Sequence, residues 1–241
     1  MEVARKQLEI EDDRLSGRLV TPATGVPAVL FVHGWGGSQQ RDTERAKALS
    51  QLGFVSFTFD LRGHGDSSND LQSVTRQDGL HDLCLAYDFL AAQPQVDKSS
   101  IAVVGSSYGA YLATILTSFR FVRWLGLRVP ALYRDKDWLM PKALLDRDDL
   151  ADYRSSLVAE PNRALDACEK FAGDVLIVES EYDDRVPHTA IASYMRAFVS
   201  AHSITYRIIA GADHALTTPD SRRNYSILLS RWLREMIFGA R

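Results

Sequence analysis

The chain is predicted to fold as an open α/β domain, a mostly parallel twisted sheet with helices on both faces. Three observations carry that expectation. Short, largely apolar runs recur at 28–32, 54–59, 101–104, 124–129, 174–179 and 204–209, and the one at 28–32 is continuous, as expected of a strand buried on both faces. Segments with apolar residues at helical spacing alternate with these runs, as a parallel sheet with crossover helices requires. Several of the runs end in clusters of glycine and charged residues, where ligand sites of such sheets lie. At 241 residues, one domain spanning 1–241 is expected, with a small cap-like insertion at about 130–172.

The elements follow in order. Residues 3–10 and 14–20 alternate apolar and polar around Glu11-Asp12-Asp13 and predict an antiparallel hairpin at the sheet edge. Residues 22–27 read as a loop. The strand at 28–32 runs into His33-Gly34-Trp35-Gly36-Gly37. A helix at 42–52 is stopped by Gly53. The strand at 54–59 leads into Asp60-Leu61-Arg62-Gly63-His64-Gly65-Asp66-Ser67. Leu80, Leu83, Cys84, Tyr87 and Leu90 make a helical stripe over 77–92, ended before Pro94. The strand at 101–104 enters a helix at 110–116, and 124–129 reads as the next strand. Two further strands, 174–179 and 204–209, precede helices at 189–198 and 222–238. Only 130–172 breaks the alternation. It is rich in charge and aromatics, lacks a strand pattern, and is expected to be a mostly helical excursion over the site. No internal repeat and no low-complexity tract is visible.

Composition excludes several classes. Hydrophobic residues make up 46% of the chain and the net charge is −3. No long basic stripe is present, so nucleic acid is not expected as a partner. The first ten residues lack the apolar centre of a signal peptide, and no apolar run is long enough to cross a bilayer, so no membrane partner is expected. Cys84 and Cys168 suggest two unpaired thiols in a reducing compartment rather than a disulfide framework. A cytoplasmic location is the resulting expectation.

Gly105-Ser106-Ser107-Tyr108-Gly109 lies between a strand and a helix, the setting of a nucleophile elbow, in which a tight turn presents the serine at the carboxyl edge of the sheet. A serine hydroxyl needs a base within hydrogen-bond reach and a group that orients the base, here in chain order serine, acid, histidine. Glu181-Tyr182-Asp183-Asp184-Arg185-Val186-Pro187 and Gly211-Ala212-Asp213-His214-Ala215 follow the last two strands. His214 is therefore the candidate base, and Asp183 or Asp184 the candidate acid. His33, His64, His81, His188 and His202 do not follow the last strand. Developing negative charge on the substrate oxygen needs two N–H donors. The candidates are the backbone of Tyr108, at a helix N-terminus, and of Trp35, in the loop after the strand at 28–32. Trp35, Tyr108, Tyr133 and Trp138 are candidates to line a substrate pocket. The charges of Asp60, Arg62, His64 and Asp66 read first as structural support for the catalytic end.

Five segments together make the chain resemble the α/β-hydrolase superfamily over nearly its full length. His33-Gly34-Trp35-Gly36-Gly37 is similar to its oxyanion loop, and 60–67 to its D-x-R-G-x-G-x-S segment. The elbow carries Ser107. Asp183-Asp184-Arg185-Val186-Pro187 is similar to its D-x-x-V-P and selects Asp183 as the acid. Gly211-Ala212-Asp213-His214 is similar to its histidine loop. Within the superfamily the chain resembles small cytosolic serine esterases of the feruloyl-esterase, dienelactone-hydrolase-like and serine-aminopeptidase-like groups. Its serine departs from dienelactone hydrolases proper, which use cysteine. The resemblance implies a serine hydrolase that cleaves a small ester through an acyl-enzyme. Amidase, peptidase, thioesterase and acyltransferase chemistry would use the same groups, and some members of the fold bind ligands without catalysis. No zinc motif, P-loop or dinucleotide fingerprint is present, so no metal or cofactor is expected.

Overall fold

The computed structural model describes residues 2–10, 13–21, 27–67 and 69–239. One eight-stranded sheet runs through it: β1 (Glu2–Ile10), β2 (Asp13–Thr21), β3 (Ala28–Val32), β4 (Val55–Phe59), β5 (Ile101–Ser106), β6 (Trp124–Arg128), β7 (Asp174–Tyr182) and β8 (Ser203–Asp213), in the order β1-β2-β4-β3-β5-β6-β7-β8. The first two strands pair antiparallel, and β2 pairs antiparallel with β4. Every pairing from β4 to β8 is parallel. The expected edge hairpin is present, although the centre of its turn, Glu11-Asp12, lies outside the described residues, as do 22–26 of the expected loop.

Among the described residues, seven α-helices connect and cover the strands: α1 (Gln40–Ser50), α2 (Arg76–Ala91), α3 (Tyr108–Leu116), α4 (Arg147–Arg154), α5 (Arg163–Lys170), α6 (His188–Ala197) and α7 (Pro219–Gly239). The apolar runs are continuous because neighbouring residues of a central strand face opposite cores. In β3, Leu30 and Val32 join the core under α2, α3, α5 and α6, while Val29 and Phe31 join the core under α1 and α7. Val175 and Ile177 alternate with Leu176 and Val178 in the same way.

Local chemistry sets several boundaries. Thr75 and Asp78 close a capping box at the start of α2, satisfying two donors that a helix end leaves open. The β6 strand stops at Arg128, one residue short of expectation, because Val129 turns to φ 40°, where a β-branched side chain is strained. Its N–H is held on the Val178 carbonyl at 2.7 Å, and the turn swings the chain toward the site. The last two strands run further than their apolar runs predict. Their pairing continues past Ser180 through an irregularity until Tyr182 stands opposite Asp213.

Residues 130–172 contain α4, α5 and two 3₁₀ turns, Asp135–Asp137 and Lys142–Leu144. Asn162, the N-cap of α5, also donates to the Tyr133 carbonyl at 2.8 Å and to the Tyr153 hydroxyl at 2.9 Å. Arg154 donates to the Leu132 carbonyl at 2.9 Å, and Tyr194 to that of Ala131 at 2.8 Å. Three consecutive carbonyls of 131–133 are thereby tied to three different helices, which fixes this stretch beside the sheet.

Candidate active site

The site begins with two glycines. A Cβ on Gly105 would lie 2.5 Å from the Gly109 carbonyl oxygen and from Ala110 Cα, and one on Gly109 would lie 2.2 Å from the Val32 carbonyl oxygen. Only glycine permits β5 to pass so directly into α3 while pressed against the end of β3. Between them Ser107 takes φ 53°, ψ −112°, a costly conformation for a residue with a side chain and one that accumulates at functional positions. Its N–H donates to the Arg128 carbonyl at 2.8 Å, and its carbonyl accepts from Ala131 at 3.3 Å. The turn is held from β6 as well as by its own helix.

Parallel pairing of β7 with β8 supplies the other side. Because Tyr182 stands opposite Asp213, the next residue on each strand, Asp183 and His214, emerge side by side. His214 Nδ1 lies 2.8 and 2.7 Å from the two carboxylate oxygens of Asp183. Its Nε2 lies 3.1 Å from Ser107 Oγ. A proton on Nδ1, donated to the carboxylate, leaves Nε2 as the acceptor for the serine hydroxyl. Asp183 also accepts from the backbone of Arg185 at 2.9 Å and Val186 at 2.8 Å. Burial alone would raise its pKa. The bond and charge of His214 and the two backbone donors outweigh that and hold the carboxyl below the ordinary carboxylate range. Asp184 is exposed at the rim.

A cleft of about 1100 Å³ opens over Ser107 and His214. Trp35 and Tyr133 line it. Tyr108 heads α3, so its amide has no acceptor within the helix, while its ring is buried, edge-on to Trp35 at 5.4 Å. Trp138, expected in the pocket, does not reach the cleft. Its indole packs beneath the guanidinium of Arg163, 4.6 Å from the ring centroid, with that of Arg76 at 5.7 Å, and cation–π attraction of this kind favours the buried position.

The charged segment 60–67 is tied into the scaffold. Asp60 accepts from the backbone and side chain of Gln39 at 2.7 and 2.8 Å. Arg62 holds Asp82 through Nε at 2.9 Å and Nη2 at 2.6 Å. His33 donates from Nδ1 to the Gly34 carbonyl and accepts at Nε2 from the Leu61 N–H at 3.0 Å. Burial lowers its pKa, and burial together with the neighbouring His33 pushes that of His64 to about 4. Burial thus favours the uncharged form of both rings.

Three residues carry more of the site than their sequence context suggested. Arg128 donates from Nη1 to the His214 carbonyl at 2.9 Å and from Nε to Ser106 Oγ at 3.2 Å. Lys142 and Arg154 line the cleft beside Tyr133. For Arg128 a signal existed: a cation closing an otherwise apolar strand. Lys142 and Arg154 lie among the many charges of 130–172, where nothing distinguishes them. Among the described residues, no cluster of three or more His, Cys, Asp or Glu could hold a metal ion, and no helix is long and apolar enough to cross a membrane.

Comparison with known proteins agrees with this architecture. Est1E from Butyrivibrio proteoclasticus, solved with ferulic acid bound, superposes with a TM-score of 0.73 over 97% of this chain and 98% of its own, at 16% identity. DcsB, solved with a substrate analogue, superposes with a TM-score of 0.74 over 97% and 99%, at 14% identity. At such identities the likeness is one of fold. An uncharacterized protein of Mycobacterium tuberculosis is 29% identical over 194 residues, covering 78% of this chain, which spans 63% of that relative's length. The prolyl oligopeptidase family (peptidase S9) matches residues 40–239, a span that includes Ser107, Asp183 and His214 and begins just after the loop at 33–37. With most of its length matched and an eight-stranded sheet of this order, the chain belongs to the prolyl oligopeptidase family, within the α/β-hydrolase superfamily.

Proposed function

We propose that this protein is a serine hydrolase that cleaves carboxylic esters through an acyl-enzyme on Ser107. The observation that carries the reading is the continuous hydrogen-bonded chain of Ser107 Oγ, His214 and Asp183, with contacts of 3.1 Å and 2.7–2.8 Å. In this reading His214 Nε2 takes the hydroxyl proton as Ser107 Oγ attacks the ester carbonyl. Asp183 holds the imidazole in the tautomer that can accept it and stabilises the imidazolium that forms. The N–H groups of Trp35 and Tyr108 receive the oxyanion, the latter aided by the α3 dipole. Collapse of the intermediate expels the alcohol, which takes the proton from His214. A water molecule, deprotonated by the same ring, then attacks the acyl carbon, and the acid departs as the acyl–Oγ bond breaks and Ser107 Oγ takes the proton back from His214.

Turnover of p-nitrophenyl acetate or butyrate tests this. Wild-type protein is expected to hydrolyse one of them and to be labelled at Ser107 by a fluorophosphonate. Ser107→Ala is expected to lose activity by about 10⁴-fold or more. Full activity in that variant would refute the assignment. Membership of the prolyl oligopeptidase family favours a second reading, in which the same groups cleave a peptide or amide bond. Peptidyl p-nitroanilides compared with p-nitrophenyl esters of the same peptidyl groups separate the two, because within each pair only the leaving group differs.

A further inference from the structure

The cleft over Ser107 has an unbalanced charge. Of the two carboxylates that line it, Asp42 is bonded to Arg45 at 2.6 Å and Asp184 is exposed at the rim. On the cap side, three cations from three separate elements converge on Tyr133. Lys142, at the start of a 3₁₀ turn, places Nζ 5.4 Å from the Tyr133 ring centroid and 4.3 Å from that of Trp35. The guanidinium of Arg154, at the end of α4, lies 4.8 Å from the Tyr133 ring, and that of Arg76, at the start of α2, lies 5.5 Å from it.

Among the described residues, no carboxylate pairs with any of the three. Arg154 is 8% exposed. Its Nε and Nη1 donate to the carbonyls of Leu132 and Arg185, and its Nη2 is buried with no partner. A buried guanidinium nitrogen without an acceptor is costly, and here the arginine that carries it faces the cleft. The phenol of Tyr133 reports the same field. Burial would raise its pKa, yet the charge of Lys142, the charge and hydrogen bonding of Arg154, and the charge of Arg76 bring it below the ordinary value.

We infer that Lys142 Nζ and Arg154 Nη2, flanking Tyr133, form a subsite for a carboxylate carried by the substrate, so that the ester or amide cleaved at Ser107 bears a free carboxylate on its acyl or leaving portion. The inference rests on the hydrolase reading above for the reaction, but not for the binding. A carboxylate would give Arg154 Nη2 its missing acceptor, neutralise Lys142, and accept from the Tyr133 hydroxyl. Charge-assisted bonds of this sort are the strong ones. Arg76 contributes field from below, because its side chain is fully buried and Nη1 is bonded to the Arg134 carbonyl.

The test is calorimetric binding to the Ser107→Ala protein, which removes the attacking group. Monoalkyl esters of linear dicarboxylic acids from glutarate to suberate are compared with the corresponding dimethyl esters. At least one monoester is expected to bind about tenfold or more tightly than its neutral counterpart. In Ser107→Ala/Lys142→Met, which keeps the volume of the side chain, that preference is expected to fall to about threefold or less, and in Ser107→Ala/Lys142→Arg to persist. No difference between charged and neutral esters across the series, or a preference untouched by Lys142→Met, overturns the subsite. Fluorophosphonate labelling of the wild-type protein separates this from the reaction itself. A labelled protein without the preference loses only the subsite, and an unlabelled protein with it loses only the hydrolase.

Discussion

Arg128 bonds the main-chain carbonyl of His214 at 2.9 Å, joining the end of β6 to the loop that carries the imidazole. Its Nε reaches Ser106 Oγ, next to the candidate nucleophile, and its own carbonyl accepts from Ser107 N–H. One buried cation thus sets the separation between Ser107 and His214 without touching either reacting atom. Arg128→Met should lower kcat by about tenfold, the effect of losing one charge-assisted bond, with a smaller change in KM. Steady-state kinetics on a p-nitrophenyl ester, with circular dichroism to show that the fold persists, checks this.

Neighbouring aspartates make a sharp comparison. Asp183 accepts from His214 and two backbone amides, whereas Asp184 faces solvent. Asp183→Asn should reduce kcat by about 10³–10⁴-fold through the wrong imidazole tautomer. Asp184→Asn should change it by no more than about threefold, as expected of an exposed side chain outside the hydrogen-bonded set. Rates of the two variants, measured side by side, decide the assignment.

The elbow should not tolerate a methyl group. In Gly109→Ala the new carbon, at the start of α3, would sit 2.2 Å from the Val32 carbonyl oxygen and 2.5 Å from that of His33, backbone atoms at the end of β3 that cannot easily give way. A destabilisation of about 3 kcal/mol or more is expected, read as a fall in the urea midpoint or as insoluble expression.

Stability should decline on mild acidification. His64 titrates at about 4 in the fold against about 6.5 in an unfolded chain. Its pKa is depressed by folding, so its contribution is complete above about pH 6.5 and is lost as pH falls toward 4. His33, also lowered by burial, acts in the same direction. The unfolding free energy of the wild type should therefore fall between pH 6.5 and 4, and His64→Leu should fall less steeply over that interval. Urea titrations across that range measure both slopes.

Much of the architecture is legible in the linear chain, because the physics behind it is local. A run such as Ala28–Val32 can be buried only between two layers, and it forms β3 as expected. The spacing of Leu83, Tyr87 and Leu90 matches the buried face of α2. Glycines on both sides of Ser107 mark a backbone passage too close for any Cβ. Where expectation and structure part, a long-range contact intervenes. Residues 174–179 carry the apolar pattern, yet β7 reaches Tyr182 because β8 offers it further hydrogen bonds. Trp138 has the character of a pocket residue, but two arginines hold its ring away from the cleft.

The succession of strands and helices along the chain, the elbow, and the candidates Ser107 and His214 were written in periodicity, turn chemistry and motif order, which act over a few residues at a time, while the choice of Asp183 over Asp184 came from the family resemblance. The distances among those three side chains were not. They follow from the register that sets Tyr182 against Asp213 and from the bond of Arg128 to the His214 loop. The cationic cluster around Tyr133 was hidden for the same reason. Arg76, Lys142 and Arg154 belong to different elements, and no local pattern records that folding brings their charges to one ring. Coulombic and packing interactions depend on separation in space, and a sequence states only separation along the chain.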